Sequence, residues 1–268
     1  MRSTICNFLI FCGLGLQAFH TQAQVLNIDK VSAPSDSAKK WSVSVQAGAD
    51  FSSEKKVFDW DAKADITRFI KGNHLISGVF VNSFLSTSGS DLQNTGFIHI
   101  RYRDNDTRKI SPEYFTQYQW DNLRGMSNRY LTGANIRIRI KETKTLDLYA
   151  GIGLMYEWEK WNFDGVDSAK LPLMRPPFVR SALLKLNQYF KISMKLFKTT
   201  DFTFTNYFQA RPDKHIVTPR IADFIQWNIP LSKRFSVNFN MESIYDAAPI
   251  VPIKHFYYSY ITAVSFTI

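Results

Sequence analysis

Ten charged residues fall into pairs whose spacing could do electrostatic work. Arg101 and Arg103, Arg137 and Arg139, and Lys191 and Lys195 are basic; Asp59 and Asp61, and Glu157 and Glu159, are acidic. Residues two or four apart on an extended chain point to the same side. Gathered on the inner wall of a closed sheet, six cations at one level would form a ring that favours anions. Four carboxylates at the other end would make an acidic entrance. The competing arrangement is that these charges pair across a filled interior, with Glu113 and Asp147 among the partners, because buried charges need counter-charges or water.

Other chemistry finds less support. Thr21-Gln22-Ala23 and the stretch before it imply removal of both cysteines, Cys6 and Cys12, so the mature chain has no thiolate chemistry. No histidine pair has metal-ligand spacing, and no cofactor motif is present. His215 or His255 beside Asp213 or Asp246 could serve a Ser-His type of acyl transfer, and His99 sits mid-strand facing inward. Neither GxSxG nor HExxH occurs, so no residue is assigned a catalytic role. An outer-membrane hydrolase or acyltransferase acting on lipid or peptide at the cell surface is the alternative. A pI near 9.5 is the generic footprint of nucleic-acid binding, but an exported chain does not meet nucleic acid. Arg175, Arg211, Lys214 and Lys254 lie in expected loops, where they suit lipopolysaccharide phosphates.

The elements that must position these charges are strands. From Asn128 to Glu159 the chain reads NRYLTGANIRIRI, KETK, TLDLYAGIGLMYEWE. Tyr130, Ile136, Ile138 and Ile140 fall on one face and Arg129, Arg137 and Arg139 on the other. The same alternation continues in Leu148, Ile152, Leu154 and Trp158 against Glu157 and Glu159. Period two over more than ten residues means a strand, longer than the usual ~5–6 residues of soluble proteins. A soluble sandwich also alternates; a membrane barrel does so with lipid outside and a polar lumen inside.

Residues 1–23 have a positive start, an apolar core from Ile5 to Leu16 and small residues before a cut after Ala23, which predicts a signal peptide. A lipoprotein anchor at Cys12 is the rival, opposed by the bulky Phe11. With Arg2 removed, 32 basic residues face 23 acidic ones, a net charge of +9. Residues 24–40 are a polar, flexible periplasmic lead-in, and 41–268 carry the barrel. Twelve strands are expected: 41–51, 57–68, 74–84, 95–103, 113–120, the hairpin's two, 178–196, 201–209, 220–229, 234–245 and 256 to the end. Facing is ambiguous in the third and ninth. Connections after the third (85–94), seventh, ninth and eleventh read as long, and those after the second, sixth, eighth and tenth as tight, with 104–112 longer than that scheme expects. Both termini are then periplasmic. The last strand places Tyr258, Tyr260, Thr262, Val264, Phe266 and Ile268 on one face. Barrel-insertion machinery would take hold of the chain there.

Glu113-Tyr-Phe-Thr-Gln-Tyr-Gln-Trp120, Asn128-Arg-Tyr-Leu-Thr-Gly-Ala134, Tyr207-Phe-Gln-Ala-Arg-Pro212, Ile229-Pro-Leu-Ser-Lys-Arg-Phe235 and the terminal strand together resemble the YdiY-like family of bacterial outer-membrane proteins, a domain-of-unknown-function family. The likeness spans 41–268, and its strand style resembles that of Bacteroidetes-type proteins. It implies an outer-membrane barrel, supplies no agreed activity, and includes members described as salt-stress-inducible.

The expectation is therefore an all-β, antiparallel transmembrane β-barrel in the bacterial outer membrane. Strand direction puts Arg101, Arg103, Arg137, Arg139, Lys191 and Lys195 at a basic periplasmic floor, and Asp59, Asp61, Glu157 and Glu159 at an acidic mouth. A narrow pore or an envelope-stress component is the expected role, with a soluble periplasmic lipid-binding barrel as a further option. Solute and oligomeric state are not written in the sequence.

Overall fold

A computed structural model describes residues 41–52, 56–71, 73–88, 90–104, 108–197, 199–232 and 235–266, except the side chains of 263, 265 and 266. The expected signal peptide and lead-in lie outside the described residues. Twelve strands follow one another: β1 (Trp41–Ser52), β2 (Val57–Ile70), β3 (His74–Thr87), β4 (Ser90–Arg103), β5 (Ile110–Asp121), β6 (Met126–Glu142), β7 (Leu146–Trp161), β8 (Val179–Leu196), β9 (Thr200–Ala210), β10 (Arg220–Pro230), β11 (Phe235–Asp246) and β12 (Phe256–Phe266). Each pairs antiparallel with its sequence neighbours in one sheet ordered β1 to β12. The fold is an antiparallel β-barrel architecture, in which no ladder joins β12 to β1 among the described residues.

One end of the sheet, here the upper, carries connections 162–178, 211–219 and 247–255; at the lower end only three or four residues separate β2 from β3, β6 from β7, β8 from β9 and β10 from β11. The expected loop 85–94 is corrected. β3 and β4 run on through it and leave only Ser88 and Gly89 between them. Ser, Gln and Asn there spoil the apolar pattern, yet the ladder is held by backbone hydrogen bonds and needs no apolar face. At the lower end β5 begins at Ile110 rather than Glu113, and Pro112 sits within it because its carbonyl still accepts from the Asp104 N–H at 2.9 Å.

Burial is inverted relative to a soluble domain. Arg129, Glu113, Glu157, Glu159, His99 and Gln119 are each 1% exposed or less, while Ile100, Tyr130, Ile152, Leu154 and Leu184 lie open on the opposite face. β3 resolves with Leu75, Val79 and Ser83 inward and Ile76 and Phe80 outward; β9 turns Thr205, Tyr207 and Gln209 inward. These two strands are hard to orient from sequence because β3 carries apolar residues on both faces and β9 carries aromatics on both.

Outward aromatics form two girdles. Tyr118, Trp120, Tyr130 and Trp158 make an upper chain of rings 4.7–5.7 Å apart. Tyr102 with Tyr114, Phe202 with Trp227, and Trp41 under the Arg68 guanidinium mark the lower level. Aliphatic side chains such as Ile98, Ile100, Ile136, Ile152 and Leu154 fill the belt between.

Candidate functional site

Register dictates who meets whom on the inner face. Arg129 on β6 stands opposite Glu159 on β7, and Glu157 lies one inward position below it. The Arg129 guanidinium donates through Nε to Glu157 at 2.9 Å and approaches Glu159 at 3.0 Å; its second nitrogen also bonds Glu157. Lys185 of β8 pairs with Glu157 from the other side. Arg220 at the start of β10 reaches Glu157 at 2.8 Å, Glu159 at 3.4 Å and Asp246 of β11 at 2.9 Å. Three cations and three carboxylates from five strands thus form one buried, charge-balanced layer.

A cap closes over this layer. Val251 and Ile253 of the β11–β12 connection are buried against Met126, Trp161 and Val166, with Phe163, Leu171 and Ile250 packed around them. The β5–β6 turn joins in: Asp121 accepts from the Arg124 backbone N–H at 3.3 Å, Gly125 at φ 80° ends the turn, and the Arg124 guanidinium lies 4.2 Å over the Tyr257 ring. Among ordinary residues a φ of that sign is strained, so glycine fits here.

Below the charged layer runs an amide relay. Gln209 donates to Asn187 at 3.1 Å, Asn187 to Asn135 at 3.2 Å, and Asn135 to Glu113 at 3.1 Å. Asn135 and Asn187 meet across β7 because the residue between them in register is Gly153; a Cβ there would lie 2.5 Å from Asn135 Oδ1. Gly151 likewise lies under the Tyr189 ring.

The remaining sequence-predicted residues lie lower or to the side. Glu113 is met by Arg103 at 3.3 Å and by Arg101 at 3.9 Å. Arg137 lies 4.0 Å over the Tyr149 ring, which Arg139 approaches at 5.9 Å while pairing with Glu142. Lys191 is half-buried opposite Tyr149, and Lys195 is exposed opposite Asp201. The basic residues thus line the lower half of β4, β6 and β8. Asp59 is half-buried; Asp61 is exposed and accepts from Ser83 Oγ at 2.5 Å. They sit on β2, apart from Glu157 and Glu159. Arg129, Lys185 and Arg220 are not singled out by sequence as site residues, and Asp246 enters there only as a possible partner of a loop histidine. The available signal was register, since the first two lie on polar faces whose neighbours are acidic.

His99 Nδ1 contacts Gln117 at 3.1 Å inside the sheet, and His215 Nδ1 contacts Asp213 at 3.0 Å in the 211–219 connection. The same Asp213 accepts from the His215 backbone N–H at 2.8 Å, which holds its pKa below the usual carboxylate value. His255 Nδ1 contacts the Asp246 carbonyl at 2.7 Å. Among the described residues no cluster of three His, Cys, Asp or Glu could hold a metal ion.

An antiparallel barrel wall with a charged interior is the class this fold defines. The model of a family described as "Protein of unknown function, DUF481" matches residues 30–251, and the chain belongs to that family. No curated protein matches it. A solved structure, the NanC porin in a rhombohedral crystal form, shares 9% identity with it at a TM-score of 0.44, over 85% of this chain and 99% of that one. No helix among the described residues is long and apolar enough to cross a membrane, which says nothing of strands.

Proposed function

We propose that the chain is an outer-membrane barrel acting as a narrow, anion-favouring path that its upper loops hold shut. The inverted burial carries the membrane part: charges inside, an aliphatic belt outside, aromatic girdles at both edges. On β11 the outward ring of Tyr245 stands ten residues from that of Phe235. At ~3.4 Å per residue that is about 34 Å along the strand, or about 26 Å at a tilt near 40°, close to the ~25 Å of a barrel's apolar band. The upper end is then extracellular.

The basic lower half supports anion preference. Arg101, Arg103, Arg137, Arg139 and Lys191 outnumber the carboxylates of Glu113, Glu142 and Asp147 at that level, five against three, whereas the layer above is balanced. The experiment is current recording from the purified protein in a planar bilayer under a salt gradient. The expected result is a small conductance with an anion-side reversal potential, reduced in selectivity by Arg137→Gln with Lys191→Gln. Opening the cap with Val251→Ser and Ile253→Ser raises the conductance. A cation-side reversal potential overturns the reading. Silence from both the intact and the cap-opened protein favours a second one, a sealed envelope scaffold, for which the buried cap and paired charge layer speak.

A further inference from the structure

On the outward side of the upper rim, a crevice of about 440 Å³ opens between β4, β5 and the β5–β6 turn. That volume falls within the ~300–1,000 Å³ of small-molecule pockets. Its lining includes Asp91, Asn94, Tyr118, Trp120, Asn122 and Ser127. Asp91 and Asn94 are three apart, so plain alternation would send them to opposite faces. A bulge brings them together: Leu85 pairs with Gln93 but Ser86 pairs with Asp91, and Leu92 is the extra residue. Both therefore share the outward face of Phe84 and Ser86.

The aromatic floor is fixed. Trp120 stands opposite Gly96, where a Cβ would lie 2.5 Å from the indole Cζ2, so the indole packs directly against bare backbone. Its Nε1–H donates to Asn94 Oδ1 at 2.8 Å, and Tyr118 packs 5.5 Å away. Asn122 Oδ1 accepts from the Asn94 backbone N–H at 2.6 Å. Both amide oxygens are thus engaged within the protein, which leaves both NH₂ groups as donors. The Asp91 carboxylate and the Ser127 hydroxyl supply acceptors beside them.

We infer that this crevice binds a neutral sugar residue. An indole with a tyrosine beside it offers an apolar face for the C–H side of a pyranose ring. Fixed amide donors and a carboxylate acceptor at its edge match the two roles of adjacent sugar hydroxyls. The carboxylate disfavours phosphate and acidic sugars, and the polar edge disfavours an acyl chain. Such a sugar could be free in solution or be the headgroup of a glycolipid; the second source rests on the membrane placement proposed above, while the site itself does not.

The test uses the full chain in detergent and in nanodiscs. Methyl hexosides and maltotriose are titrated in solution by calorimetry and saturation-transfer NMR, and a neutral glycolipid is presented in the nanodisc. Binding in either arm is expected, and which arm responds identifies the source. Asp91→Ala changes an exposed side chain and should weaken affinity about tenfold, the effect of about 1.4 kcal/mol. Trp120→Phe, which frees Asn94, should weaken it as well, with the protein's thermal unfolding followed in parallel. No binding in both arms overturns the inference. So does binding that Asp91→Ala and Trp120→Phe leave unchanged, or tighter binding of an acidic sugar such as a methyl glucuronide.

Discussion

Glu157→Gln is the sharpest perturbation this interior offers. Glu157 is 1% exposed and touches Arg129, Lys185 and Arg220. In the native layer Arg129, Lys185 and Arg220 balance Glu157, Glu159 and Asp246, three against three. The substitution keeps size and hydrogen-bonding capacity but leaves three cations facing two carboxylates. Removing one member of a buried pair costs about 3–5 kcal/mol, and the retained amide oxygen puts the expected loss near the lower end, about two decades in the unfolding equilibrium. Urea unfolding of the reconstituted protein, followed by tryptophan fluorescence, reads this directly. Lys185 is the natural compensating site, since it pairs with Glu157 while the two arginines also hold Glu159. Glu157→Gln with Lys185→Met restores two against two and should recover at least half of the loss. A single substitution costing less than about 1 kcal/mol, the range of solvent-screened pairs, with a double no better than the single, would refute the balanced-layer argument.

Further outcomes follow from the same geometry. Gly153→Ala drives a methyl group into the Ala134 backbone carbonyl and the Asn135 side chain and should cost about 1–3 kcal/mol in the same unfolding assay. Phe197, exposed in a lower turn at φ 50°, is a bulky residue in the left-handed region; Phe197→Gly should stabilise by about 1 kcal/mol, and a loss of stability would show that its ring matters. Asp213 titrates below the usual carboxylate range because the His215 backbone N–H bonds it. A depressed folded pKa gives a contribution present above the unfolded value and lost as pH falls through the folded one. The His215 amide resonance should therefore hold its position through the ordinary carboxylate range and move only at lower pH. Titration at or above that range contradicts the assignment, and Asp213→Asn should abolish the movement.

Much of this was legible in the residues. Alternation between Tyr130 and Ile140, and between Leu146 and Trp158, fixes both strands of the central hairpin and which face carries Arg and Glu. What alternation misses is physical. Residues 85–94 look like a loop because strand backbone above an apolar belt needs no apolar side chains, and the bulge at Leu92 breaks the period. β3 could not be oriented because apolar residues also point inward there, Leu75 and Val79 among them. The ion-pair layer was half visible: Glu157 and Glu159 stand out as a pair, but Arg220 and Asp246 sit at strand ends beside loops, where single residues carry no period. The cap was invisible, since it depends on 247–255 folding back onto Met126 and Trp161 far away in the chain.

The next-neighbour order of the strands has a consequence for assembly. If hairpins form in chain order, the buried charges arrive in sequence. β6 with β7 brings Arg129 against Glu157 and Glu159, one negative charge in excess. Lys185 on β8 cancels it, Arg220 on β10 leaves one positive charge, and Asp246 on β11 cancels that. No intermediate in that sequence holds more than one uncompensated charge of this layer. A wall built strand by strand can therefore turn its arginines and glutamates inward without passing through a heavily charged stage.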